Sequence, residues 1–199
     1  MSNMRKKAKK KAEKDQNRGG NYNLDLPENT PKFVPKSKGP YHLDILPYTV
    51  SVNNHPEAKK GELWYQRTYW IHYGLGDDGR QSGICPKTIG KPCPVCESYK
   101  ELVSSEDEDD REAAKKIKAK ERELYNLIDL DDQDAGVKIF EYSWHLFGKP
   151  LSEEVNEGSE EDAGFAELEG GKTLKVSFRK QSIGGGTPFW EVRKIDFED

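Results

Sequence analysis

No apolar run in the 199-residue chain approaches the roughly 18 residues needed to cross a bilayer. The N-terminus also lacks the apolar stretch of a secretory signal. A soluble, intracellular protein is the expectation. Apolar side chains are scarce throughout: hydrophobic residues make up 33% and charged residues 34%, so the folded part must be smaller than the chain. With domains of about 100 to 200 residues typical, one globular unit with tails is expected. Cysteine is rarer still. Three cysteines cannot all pair within one chain, and Cys93 and Cys96 stand close together among prolines, which makes a disulfide framework a poor reading and metal binding the better one.

What charge there is lies segregated, so the net value of −4 says little. Met1 to Arg18 holds eight Lys or Arg against Glu13 and Asp15, and it has no apolar face. Residues 1–20 are therefore expected to be a flexible basic arm, and residues 21–40, with Pro27, Pro31, Pro35 and Pro40, an extended linker. The folded core is expected over 41–199. There, β-branched and aromatic runs predict strands at His42 to Val52, Glu62 to Tyr73, Leu124 to Leu130, Val137 to Trp144, Thr173 to Lys180 and Phe189 to Ile195. The clearest helical pattern is Asp110 to Tyr125. Two acidic tracts, Glu106 to Asp110 and Ser152 to Glu169, read as solvated loops, the second with eight Asp or Glu and no Lys or Arg. A mainly β, α+β fold follows, in which a barrel is preferred.

The most specific feature is His72 followed by Cys85 and the pair Cys93-Pro94-Val95-Cys96. Zinc favours four tetrahedral N or S ligands, and a Cys-x-x-Cys turn curls its backbone around one ion. Three thiolates and one imidazole close that sphere and leave no position for an activated water, so one structural Zn²⁺ is expected. His55 or His145 could supply the imidazole instead, but His72 leaves the shortest loop to close. The zinc subdomain is placed around 72–103. An enzyme of the zinc deaminase type would need His-x-Glu ahead of Pro-Cys-x-x-Cys. His72 is followed by Tyr73-Gly74, so the general base is missing and catalysis is not expected.

These residues resemble the gene-32-type single-stranded DNA-binding proteins of T4-like phages, which carry a histidine, a downstream cysteine and then Cys-Pro-Val-Cys. Ile45-Leu46-Pro47, Tyr125-Asn126-Leu127-Ile128 and Gly136-Val137-Lys138-Ile139-Phe140-Glu141-Tyr142 look like further landmarks of that family, although the gap from Cys85 to Cys93 is shorter here. The resemblance covers roughly Leu43 to Trp190. It implies an OB-fold-like barrel with an inserted zinc subdomain and a basic N-terminal arm, here Arg5-Lys6-Lys7, that drives cooperative self-association on DNA. It also implies a role in phage DNA replication, recombination and repair, in the cytoplasm of an infected bacterial host, with replication and recombination proteins as further partners. The family's long acidic C-terminal domain has no counterpart at Lys194 to Asp199, so the resemblance does not carry tail-mediated recruitment.

Single strands offer a charged backbone and exposed base faces, so a general binder lines a groove with Lys or Arg and interleaves aromatic platforms. Strand alternation places Tyr65, Arg67, Tyr69 and Tyr73 on one face, with Trp64, Trp70 and His72 opposite, and gathers Phe140, Tyr142 and Trp144 on another. Candidate DNA contacts are Tyr65, Arg67, Tyr69, Tyr125, Lys138, Tyr142, Trp144, Arg179, Lys180, Phe189 and Trp190. Gly184-Gly185-Gly186 lacks the Gly-Lys-Ser/Thr continuation of a phosphate loop and reads as a hairpin turn beside the groove. Binding is expected to be indifferent to base sequence. The second reading is a zinc-bearing RNA-binding or transcription-associated interaction protein, because stacking platforms accept RNA as well.

Overall fold

The computed structural model describes Leu24 and residues 26–184 and 186–199. The basic arm, and with it Arg5, Lys6 and Lys7, lies outside the described residues. Nine strands are described: β1 (Tyr41–Leu46), β2 (Tyr48–Thr49), β3 (Leu63–Trp64), β4 (Gln66–Leu75), β5 (Gln81–Ile84), β6 (Lys120–Asp129), β7 (Val137–Ser143), β8 (Thr173–Gln181) and β9 (Phe189–Glu198). Four α-helices accompany them: α1 (Pro94–Val103), α2 (Glu108–Ile117), α3 (Lys149–Glu157) and α4 (Glu160–Ala163). No helix among the described residues is long and apolar enough to cross a membrane.

The architecture is mixed α+β around a mostly antiparallel sheet. Pairing runs β5-β4-β6-β1-β8-β9, with β7 on the remaining edge of β6, while β2 and β3 form a separate ribbon. The long strand β6 organises this arrangement. Its first half pairs β4, from Ile71 opposite Lys120 to Gln66 opposite Tyr125, and its last residues pair β1, with Ile45 opposite Leu127. One strand thus serves two neighbours on a single edge. Among the described residues no ladder joins β9 to β7, so the expected barrel is not closed.

Alternation along β6 shows why these residues form strands here: Glu123, Tyr125, Leu127 and Asp129 are buried, and the residues between them are half-buried. Tyr125 and Leu127 join Leu43, Ile45, Phe140, Leu174, Val176 and Phe178 in the core. The other side of that core is closed by Phe147, Leu151 and Phe165. This corrects the reading of 152–169 as a solvated loop. Pro150 sits in the first turn of α3, Leu151 and Val155 lie one turn apart on its inner face, and Glu153 and Glu157 are exposed. Ser159 and Asp162 then form a capping box that starts α4. The acidic run at Glu106 to Asp110 is likewise a helix start. Asp107 caps α2 through the N–H of Asp109, and its first turn carries Glu108, Asp109 and Asp110, where the helix dipole favours negative charge. The helix predicted to reach Tyr125 ends at Ile117, because Lys120 to Tyr125 is claimed by pairing with β4.

Candidate metal centre and nucleic-acid surface

The hairpin of β4 and β5 sets His72 opposite Gly83 and Ile71 opposite Ile84, so the chain leaving β5 delivers Cys85 beside His72. Cys85 is tied down by its N–H to the Trp70 carbonyl at 2.8 Å. A single 3-10 turn, Pro86–Ile89, ends at left-handed Gly90 and turns the chain back. Cys93 then occupies the N-cap of α1, with Pro94 at the first helical position, and Cys96 follows on the first turn. The outcome is convergence. One ligand atom from each of His72, Cys85, Cys93 and Cys96 lies within 4.8 Å of all the others.

These distances can be compared with a tetrahedron. With metal–sulfur bonds of about 2.3 Å and a metal–nitrogen bond of about 2.0 Å, sulfurs sit about 3.8 Å apart and sulfur and nitrogen about 3.5 Å apart. Cys85 Sγ and Cys96 Sγ are 3.6 Å apart, and His72 Nε2 lies 3.3 Å from Cys93 Sγ and 3.6 Å from Cys96 Sγ. The four residues fit one ion. His72 Nδ1 is 2.7 Å from the Ile117 carbonyl, and donation to that oxygen leaves Nε2 with its lone pair toward the cysteines. Gly74 makes this contact possible: its φ is +68°, and a Cβ there would lie 3.2 Å from the Lys116 carbonyl, so the end of α2 can settle against β4. Burial pushes the Cys85 thiol up to about 12. At Cys93 burial acts the same way, but the N–H of Cys96, the Cys85 and Cys96 thiols and the N–H of Val95 together outweigh it and hold the thiol below its ordinary value. His55 and His145 are not part of the cluster: the His55 ring bonds the Tyr48 hydroxyl at 2.8 Å, and His145 is exposed.

The candidate DNA contacts scatter. Tyr69 is 2% exposed, its hydroxyl donating to Glu141 at 2.5 Å, and Glu141 also holds Arg122. Tyr125 is 1% exposed and donates to Glu123 at 2.5 Å. Lys138 is 7% exposed and bridges Asp129 at 2.9 Å and Asp132 at 2.7 Å. In this conformation none of the three offers a free ring face or a free charge. Tyr65 does not share the face of Arg67, since a bend between β3 and β4 breaks the alternation and its ring packs on Phe165 and Tyr125. Tyr142 is half-buried, its hydroxyl donating to the Trp190 carbonyl at 2.5 Å. Phe140 lies fully in the core.

Other candidates remain at the surface. Arg179 and Lys180 are exposed on β8, Phe189 and Trp190 are half-buried on β9, and the hairpin containing Gly184 and Gly186 joins these strands. Lys180 Nζ lies 5.9 Å from the centre of the Trp190 ring, and Arg179 is bonded to Glu191 at 2.9 Å. Trp144 is half-buried beside His145. A pair missing from the candidate contacts joins them: Lys120 Nζ sits 5.4 Å over the ring of Tyr73, one residue beyond His72. Strand alternation named Tyr73, but only register could supply Lys120. The contribution of the Ile117 carbonyl left no trace in the sequence, because it is a backbone atom.

No protein-family model matches the chain, and no curated protein matches it significantly. The functional reading therefore rests on the chain itself.

Proposed function

We propose that this protein binds single-stranded nucleic acid, DNA in preference to RNA, without base specificity along most of its surface and without catalysis. The observation that carries the reading is the repeated pairing of a lysine with an aromatic ring, Lys120 with Tyr73 and Lys180 with Trp190, two units of charge plus stacking face. Arg179, Phe189 and Trp144 extend these units. Zinc is the proposed ion at the Cys-Cys-Cys-His cluster, since three thiolates and an imidazole are its preferred soft, four-coordinate donor set. It would be held by His72, Cys85, Cys93 and Cys96 and would supply cross-linking, fixing β5, α1 and α2 to the end of β4. Four protein donors leave no vertex for a reacting water, which favours a structural role over hydrolysis.

The gene-32-type resemblance supports a finer version. The sheet would serve as an OB-like binding platform, residues 5–7 of the arm would drive cooperative self-association, and the setting would be phage replication, recombination and repair inside a bacterial host. The test is tryptophan fluorescence during titration with a long oligothymidine, with duplex DNA and matched RNA in parallel, at two salt concentrations. Quenching by the DNA single strand ahead of both others, weakening as salt rises, is the expected result. Tighter binding to RNA would replace DNA by RNA in the proposal. Equal or absent responses to all three would overturn it.

A further inference from the structure

The face of the sheet opposite the core carries a cavity of about 370 Å³, within the range of roughly 300 to 1,000 Å³ typical of small-molecule pockets. Register defines its floor. Arg67 stands opposite Leu124, and Asn126 opposite Ile139, all on the face turned away from Tyr125 and Phe140. The loop after β2 supplies the rim, with Val50 and Val52, and Leu26 adds a further apolar wall. Two polar rings line it as well, but their bonding is already used: His55 Nδ1 accepts the N–H groups of Glu57 and Ala58 at 3.2 and 3.1 Å. Its other nitrogen meets Tyr48, whose hydroxyl donates to the Gln66 carbonyl. Arg67 is different. Its Nη1 is buried with no hydrogen-bond partner, and among the described residues no carboxylate lies within ion-pair distance of it. The other such atom, Trp64 Nε1, belongs to a residue that does not line the cavity.

A buried guanidinium N–H without an acceptor is costly, and a ligand that supplies the acceptor recovers that cost. The walls decide what kind of ligand. Beyond the Ser51 hydroxyl and the Asn126 amide the walls give a phosphate few further donors, and their aliphatic side chains pack well against a flat heteroaromatic ring. The fork of an arginine matches a ring edge with adjacent acceptors, such as O6 and N7 of a 6-oxopurine, whereas adenine turns an amino donor toward it.

We infer that this cavity captures one nucleobase of the bound strand by its carbonyl edge, with Arg67 as the donor and the Val50, Val52, Leu124 and Ile139 side chains as its walls. This deepens the single-strand reading and rests on it. One base within each bound stretch is thereby selected for a keto group, although the rest of the surface is indifferent to sequence.

The discriminating experiment compares two decamers, oligodeoxyadenylate and the same strand with hypoxanthine at alternate positions. The bases have similar size and shape and differ in the keto or amino group. Wild-type protein should bind the hypoxanthine strand roughly tenfold tighter, the scale of one arginine–purine contact. Arg67→Met should bind both strands equally, at the level of the adenine strand. Val52→Trp, which fills the cavity from an exposed rim position and leaves the guanidinium in place, should also lose the preference. Equal binding of both strands by wild type, or a preference that survives in both variants, overturns the pocket while leaving single-strand binding standing. Absence of binding to either strand overturns both.

Discussion

Strand β4 takes part in two buried polar clusters built on opposite principles. At His72, one imidazole nitrogen and three sulfurs converge, and every ligand atom presents a lone pair once the thiols ionise. Three residues earlier, Tyr69 meets Glu141, which also meets Arg122, so a donor, an anion and a cation satisfy one another. The first cluster could hold a cation from outside, and the second needs nothing. Convergence of like groups therefore points to a ligand, whereas convergence of complementary groups points only to folding.

The comparison breaks most visibly when the outside cation is removed. Apparent binding energies for structural zinc in small peptides are roughly 10 to 16 kcal/mol, so loss of the ion should cost more than any other single change. Cys93→Ser, or a strong chelator, is expected to abolish metal content and to expose the amides of residues 81–117 to hydrogen exchange, while β6 to β9 stay protected. Absence of metal from wild type together with unchanged protection in Cys93→Ser would mean that the four residues need no ion, as the Tyr69 group needs none.

The second cluster should respond to one substitution and tolerate two. Glu141→Leu leaves the half-buried Arg122 without its anion and is expected to cost about 3 kcal/mol in urea unfolding, the lower end of the range for a buried pair. Adding Arg122→Met should recover much of that loss, because two apolar side chains replace a pair whose desolvation was costly. Burial and the neighbouring carboxylate already hold the Tyr69 hydroxyl well above its ordinary value, so it stays a neutral donor throughout. A double variant as unstable as the single one would show that Glu141 acts through Tyr69 alone.

The difference between the clusters also explains what the sequence disclosed. Candidate metal ligands announce themselves by type and local spacing, so His72, Cys85, Cys93 and Cys96 were legible as a cluster. So were most strands, since β-branched and aromatic runs survive tertiary context. Complementary pairs mostly lack a local signature. Tyr69, Tyr125 and Lys138 read as contacts for DNA because each is aromatic or basic within a strand, yet Glu141 reaches Tyr69 only through register and Asp132 reaches Lys138 from the preceding turn. Glu123, two residues before Tyr125 on the same face of β6, was the one partner local spacing offered. The other available hint was a carboxylate inside an apolar strand, as at Glu123 and Glu141, which needs a buried partner. Helix α3 was hidden for another reason. Its glutamates outnumber Leu151 and Val155, and composition outweighed the one-turn spacing of those two anchors.

Glu123 sharpens the contrast to a single group. It lies on β6, is 3% exposed, and has the Tyr125 hydroxyl at 2.5 Å but no cation among its partners. Gly148 packs so close that a Cβ there would collide with the carboxylate, which leaves no room for a solvating water on that side. Burial raises its pKa from 4.5 to about 7, against the opposing effect of the Tyr125 hydrogen bond. Between those values the native state holds a proton that the unfolded chain has released. Stability contributed by this group therefore falls as pH rises from about 4.5 to about 7 and is level beyond, the reverse of a carboxylate paired with arginine. A displacement of that size corresponds to roughly 3 kcal/mol. Glu123→Gln keeps an acceptor for Tyr125 without a charge, so its unfolding free energy should gain on wild type steadily through that window. Parallel curves for the two proteins between pH 4.5 and pH 7 would mean that Glu123 finds a counter-charge after all.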